Sequence, residues 1–179
     1  MASTTNPFIS SLHHFCTQLS AAYTSVPGVQ AQPEAQLTAP VSELLKSYPT
    51  IQVRSEVPLP GVGRPDLGVL STNLLTGYVE LKPPGKGANP AKFNTPHDKR
   101  QWAKFKNLPN LLYTDGREWG LYRNGEPIGK LIRLAGDPTT EGAVAITAPV
   151  AAALEILLYN FLNWQPIVLG QPKDLANVL

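Results

Sequence analysis

Asp66, Glu80 and Lys82 are the residues whose types and spacing can do chemistry together. They fall on two strand-like stretches, 66–70 and 77–82, joined by a loop of about five residues in the manner of an antiparallel hairpin. Side chains two apart on a strand share a face, so Glu80 and Lys82 point one way while Val79 and Leu81 point the other. With Ser71 to Leu75 as the turn, Asp66 falls opposite Glu80. Directly opposed side chains have Cβ atoms about 4.5–5.5 Å apart. Two carboxylates at that distance repel unless a positive charge sits between them. Mg²⁺ is the natural candidate, with Mn²⁺ as a substitute, because it takes few protein carboxylates and completes its shell with water and phosphate oxygens. Lys82 alongside would orient or help deprotonate a metal-bound water, or offset charge growing on a phosphoryl centre. Taken alone, the spacing favours an edge hairpin with a solvated Glu–Lys face.

The elements that must position these residues follow from periodicity. Phe8, Leu12, Phe15, Leu19 and Tyr23 recur at helical spacing over residues 6–24. A break rich in Ser, Pro, Gly and Gln leads to a second helical pattern over 34–48, carrying Leu37, Val41, Leu44 and Leu45. Residues 51–57 alternate as a strand, and the hairpin follows. After a Pro/Gly/Lys loop comes a basic helix at about 96–107, then strands at 110–113, 118–122 and 128–134, with turns at Asp115-Gly116 and Asn124-Gly125. A loop over 135–147 precedes an apolar helix over 150–164. Residues 173–179 begin another helical pattern. The order predicts an α+β fold with a central mixed sheet and helices packed against it.

Composition narrows the class. A chain of 179 residues, 42% hydrophobic and 16% charged, can bury a core and suits one domain. The 18 prolines and 14 glycines favour short elements over a helical bundle. One cysteine, Cys16, gives neither an internal disulfide nor a thiolate cluster. No Lys or Arg precedes Lys46 and no apolar run reaches membrane-spanning length, so a soluble, cytoplasmic protein with no membrane partner is expected. The net charge of +2 hides a local excess: Lys82, Lys86, Lys92, Lys99, Arg100, Lys104 and Lys106 against Asp98 alone. Such a segment suits a polyanion, or a solvated helix face.

The flanking residues add a resemblance. Gly63-Arg64-Pro65-Asp66, followed by Tyr78-Val79-Glu80-Leu81-Lys82-Pro83-Pro84-Gly85, resembles the PD-(D/E)XK nuclease superfamily, with Pro65-Asp66 and Glu80-Leu81-Lys82 as its two halves. Residues 101–105, 108–116 and 118–126 resemble one branch, the N-terminal nuclease domain of single-polypeptide restriction–modification enzymes of type IIG or type ISP, fused to an adenine-specific DNA methyltransferase. The resemblance covers about residues 34 to 179 and implies a restriction-endonuclease-like core of αβββαβ order. It implies that Asp66 and Glu80 bind Mg²⁺, that Lys82 is the catalytic lysine, and that Gln101 lies near the metal-bound water or the scissile phosphate. A further acid from the first core helix is implied as a metal ligand. Glu43 and Glu34 are the candidates, with Glu43 preferred for its place on the helix. Phe105 stands where relatives commonly have tyrosine.

Together these readings describe a DNA endonuclease of a restriction–modification or phage-defence system. A metal-activated water would leave 5′-phosphate and 3′-hydroxyl ends. Lys86, Lys92, Lys99, Arg100 and Lys104 would track the DNA backbone. The division expected is an N-terminal helix and linker over 1–33, the nuclease domain over 34–165, and over 166–179 the start of a linker to a further methyltransferase, specificity or motor domain. The chain is thus expected to be a fragment or a split subunit, and double-strand cleavage by one copy or by dimerisation of two on DNA stays open. The alternatives are a catalytically silent DNA-binding or docking module of the same fold, and a repair or junction-resolving nuclease. His13-His14, Cys16, Trp119 and Trp164 are read as structural or solvated. Trp102 alone of the tryptophans lies beside the candidate site.

Overall fold

The computed structural model describes residues 6–24 and 33–165. The linker expected over 166–179, with its helical pattern, lies outside the described residues, as does most of the break between the first two helices.

The central hairpin pairs β2 (Leu67–Ser71) with β3 (Leu74–Leu81). Thr72 and Asn73 close it with φ of 47° and 66°, the left-handed pair that matches the twist of a two-residue hairpin. The loop is therefore shorter than the five residues expected, and Leu74 and Leu75 join the strand. A bulge between Val69 and Leu70 then sets one extra residue, Thr76, into β3. Beyond it Val69 faces Gly77, Gly68 faces Tyr78 and Leu67 faces Val79. The short turn and the bulge cancel, and the ladder runs on toward Asp66 and Glu80 in the register expected.

β1 (Ile51–Ser55) lies antiparallel on β2, and β4 (Leu111–Thr114) lies parallel to β3. A parallel neighbour needs a crossover, and α3 (Pro96–Phe105) lies within it. β5 (Glu118–Arg123) returns antiparallel on β4. The expected strand over 128–134 is instead two short pieces, β6 (Glu126–Pro127) and β7 (Ile132–Arg133), both on β5. Gly129, at φ 74°, turns the chain between them. The loop expected over 135–147 contains a helical turn, α4 (Pro138–Glu141), which Asp137 caps by accepting from the Thr139 amide.

Alternation along the strands divides the core. Val69, Val79, Leu81 and Leu112 face α1 (Pro7–Thr24), α2 (Thr38–Lys46) and α5 (Ala148–Leu162). Tyr78, Leu111 and Tyr113 face the other way, toward Phe93 and Phe105. Glu80 and Lys82 follow the parity of Tyr78, so α3 covers their face. Trp119 is wholly buried in the core, Cys16 is buried too, which leaves the structural one of its two readings, and burial pushes the Cys16 thiol up to about 12. No single helix among the described residues is long and apolar enough to cross a membrane.

Gly77 marks where β3 meets α5. A Cβ there would lie 2.7 Å from the Asn110 carbonyl oxygen and 2.7 Å from the Phe161 ring. Gly77→Ala should therefore destabilise the fold by about 1–3 kcal/mol, the usual cost of overpacking a close contact, read from a shifted denaturant midpoint.

Candidate active site

Each acid reaches the site through its strand. Asp66 immediately precedes β2, and its Oδ2 accepts the Leu81 amide at 2.7 Å, which ties the two sides of the hairpin together. Glu80 and Lys82 are both only 3% exposed. The Lys82 amide donates to the Thr114 carbonyl at 2.8 Å, so the end of β4 holds the backbone beyond β3. Asp66, Glu80, Lys82 and Gln101 line one cleft of about 260 Å³, together with Glu34, Lys86, His97 and Asp98.

The Lys82 ammonium has three side-chain oxygens around it. It donates to Glu80 Oε1 at 3.3 Å and to Gln101 Oε1, and pairs with Asp98 Oδ1 at 3.5 Å. The rings of Phe93 and Tyr113 each lie 5.6 Å from it. The carboxyl of Glu80 is less well served, since its Oε2 is buried with no hydrogen-bond partner. Burial, then the neighbouring Asp66 charge, push Glu80 up to about 8 against the pull of Lys82 and Gln101. Asp66 is raised too, chiefly by burial, with the Glu34 charge adding to it. Two crowded acids with an orphaned oxygen offer a hard oxygen donor set, and a cation between them would relieve both. Among the described residues no group of three His, Cys, Asp or Glu is gathered tightly enough to hold a metal unaided. Mg²⁺ does not require one, since it commonly rests on one or two carboxylates and draws its other ligands from water and phosphate.

Glu43, the preferred third acid, lies elsewhere. Its Oε2 accepts from Gln18 at 2.5 Å and lies 3.6 Å from His14, in a depression between α1 and α2. A 3-10 turn over Pro33–Leu37 precedes α2 and carries Glu34 to the cleft instead. Helical phase decides the matter: Val41, Leu44 and Leu45 must face the core, which leaves Glu43 on the outer side.

The basic residues divide in the same way. A second groove of about 230 Å³, lined by Arg64, His97, Arg100, Gln101, Lys104 and Phe105, shares His97 and Gln101 with the acid cleft. Residues 97, 100, 101 and 104 recur at helical spacing and form one face of α3. Lys99 falls on the opposite side of that helix, and Lys92 sits on a separate exposed turn, so neither lines the groove or the cleft. Lys86 lines the cleft but is paired with Asp98 at 2.6 Å. Phe105 is buried against Gly63, a packing role beside the loop that carries Asp66. Trp102 stacks edge-on against Tyr113 and Tyr122.

Two residues carry roles that their local sequence does not announce. Asp98 passed for a lone acid among lysines, yet it is 5% exposed and central to the cation network. Its signal was the Thr95-Pro96-His97-Asp98 capping pattern, with Thr95 Oγ1 accepting the Asp98 amide. Asp115 is, by its local sequence, part of an Asp-Gly turn and nothing more. Its Oδ2 accepts the Gly85 and Gly87 amides at 3.1 and 2.7 Å, while Oδ1 accepts those of Arg117 and Glu118. This carboxylate therefore shapes the loop that presents Lys86. Asp115→Ala would leave the buried Glu118 amide without its acceptor, at a cost of about 1–3 kcal/mol, and would release the part-buried amides of Gly85, Gly87 and Arg117. The expected result is a marked loss of hydrogen-exchange protection at Gly85 and Gly87, with Gly77 little changed.

No family model matches the sequence, and no curated protein does. Among solved structures, the chain is similar to a chain in the cryo-EM structure of a DrdV–DNA complex, with a TM-score of 0.61 and 20% identity. The likeness covers 89% of this chain and 14% of that one, so the present chain spans a small part of its length. What is shared is the fold: a mixed sheet flanked by helices, compatible with a restriction-endonuclease-like core.

Proposed function

We propose that this chain is a DNA endonuclease domain of the PD-(D/E)XK type, acting with Mg²⁺ within a restriction–modification or phage-defence system. The observation that carries this reading is the convergence of Asp66, Glu80, Lys82 and Gln101 in a cleft that opens beside a cationic groove. Asp66 and Glu80 would hold the cation, with Glu34 as the further acid at the same cleft. When bound, Mg²⁺ supplies Lewis acidity toward a phosphate oxygen and makes water a better nucleophile at neutral pH.

The chain's own residues supply the rest. Lys82 places its side-chain nitrogen in a buried setting, where negative charge developing on phosphate is best offset. Gln101 holds that ammonium through its side-chain oxygen. Arg64, Arg100 and Lys104 would receive the backbone phosphates, giving affinity without reading sequence. The products would carry 5′-phosphate and 3′-hydroxyl ends. DNA as the substrate is supported by the shared fold of a chain in a DrdV–DNA complex. The small share of that chain covered accords with a longer polypeptide whose methyltransferase or target-reading domains lie outside this sequence.

The test is cleavage of supercoiled plasmid with Mg²⁺, Mn²⁺ or EDTA. The parent should nick DNA only with metal, and Asp66→Ala and Lys82→Ala should each lose about 10²–10⁴-fold, the range for removing a group that acts in the transition state. Nicking that survives EDTA, or that both variants retain, would overturn the reading.

A further inference from the structure

We propose that Asp98 is the positioning residue for Lys82, holding its ammonium in place from the helix side so that it stays directed at the reacting phosphate when the Glu80 carboxylate is engaged elsewhere. This rests on the nuclease reading above. An ammonium has three protons to donate, and Lys82 has Glu80, Gln101 and Asp98 within reach. Of these, Glu80 is the one whose charge a bound cation would claim. Gln101 is neutral, so Asp98 is then the only remaining carboxylate among the three.

Asp98 is built to stay where it is. It sits in the first turn of α3, where a carboxylate is favoured by the helix dipole. Its amide is capped by Thr95 Oγ1 at 3.1 Å, and the Thr95 hydroxyl hydrogen-bonds back to Oδ2. Lys86 Nζ closes on Oδ2 at 2.6 Å, which leaves Oδ1 for Lys82. Burial alone would raise this carboxyl, yet the bonds from Lys86 and Thr95 and the Lys82 charge hold it down at about 2. It is therefore a permanent anion that does not have to serve as a metal ligand.

Asp98→Asn preserves shape and removes the charge, Asp98→Glu restores the charge, and Ala103→Gly on the exposed side of α3 weakens the helix by about 0.5–1 kcal/mol without touching the site. Two readouts apply to the full chain: plasmid-cleavage kinetics, and competitive amine labelling of Lys82 in metal-free protein, followed by mass spectrometry. Asp98→Asn should lower kcat by about 10–100-fold with a smaller change in KM, the scale of losing a partner that orients a reacting group. It should also raise Lys82 labelling severalfold relative to the parent. Asp98→Glu should recover part of both effects, and Ala103→Gly should move neither. Unchanged Lys82 labelling in Asp98→Asn, or a loss in KM alone, would overturn the inference. A parent that never cuts DNA would instead count against the nuclease reading, with the labelling arm still deciding what Asp98 does.

Discussion

Glu80→Gln is expected to give a protein that is more stable than its parent at pH 8 and inactive. The sign follows from linkage. Glu80 titrates near 8 in the folded chain against an ordinary 4.5, so the native state holds a proton that the unfolded chain releases. Stability must then decline as pH rises from about 4.5 to 8, and the full penalty applies above that. A shift of this size sets a ceiling of about 5 kcal/mol. Lys82 also loses a charged partner in the variant, so the net gain should be nearer 1–2 kcal/mol, about 2–8 °C in Tm for a chain of this size. Near pH 4 the two proteins should melt together, because Glu80 is then protonated in the folded parent. Added Mg²⁺ should stabilise the parent more than the variant and narrow the gap at pH 8. A Gln variant that melts below its parent at pH 8 would mean that the Glu80–Lys82 pair is a net stabiliser, and the strained-acid picture would be wrong.

Much of this site was legible in the sequence because strands are short-range objects. The period of two put Glu80 and Lys82 on one face, and the hairpin register put Asp66 beside them. That register survived an incorrect turn, since the two-residue Thr72-Asn73 loop and the Thr76 bulge offset each other. Parity errors in sheets come in single steps, and here two of them cancelled. What was not legible depended on contacts distant in the chain. The phase of Val41, Leu44 and Leu45 turns Glu43 away from the core, but that Gln18 meets it there, and that Glu34 on the preceding turn reaches the cleft, depends on how α2 packs in the fold. Asp115 resembles any Asp-Gly turn until the loop 30 residues earlier folds onto its carboxylate. Asp98 was counted as one negative charge in a basic run, whereas its burial makes it the centre of that run's electrostatics. Net charge treats every lysine alike; helical phase does not.

The same distinction predicts how DNA binding should respond to salt. A duplex contact that displaces a counterion contributes about 0.9 to the slope of log affinity against log salt. Arg64, Arg100 and Lys104 line the groove that adjoins the cleft, so their combined replacement by alanine should lower the slope by up to about 2.7. Arg64 is paired with Glu56 at 3.2 Å in the free chain, both well exposed. Such a pair is weak in water, so a phosphate can take over the guanidinium at little cost. Lys92 and Lys99 belong to the same basic stretch but to other surfaces, so replacing both should leave the slope nearly unchanged. Fluorescence anisotropy with a short duplex, in Ca²⁺ to withhold cleavage, would measure all three proteins across a salt series. The variants differ in net charge by only one, three positions against two, so a purely global field would weaken binding almost in proportion. A steep loss for the groove variant and none for the other would place the backbone along the His97–Lys104 face of α3. Equal losses would mean that no groove is tracked and that the excess of lysine acts only as a diffuse positive field.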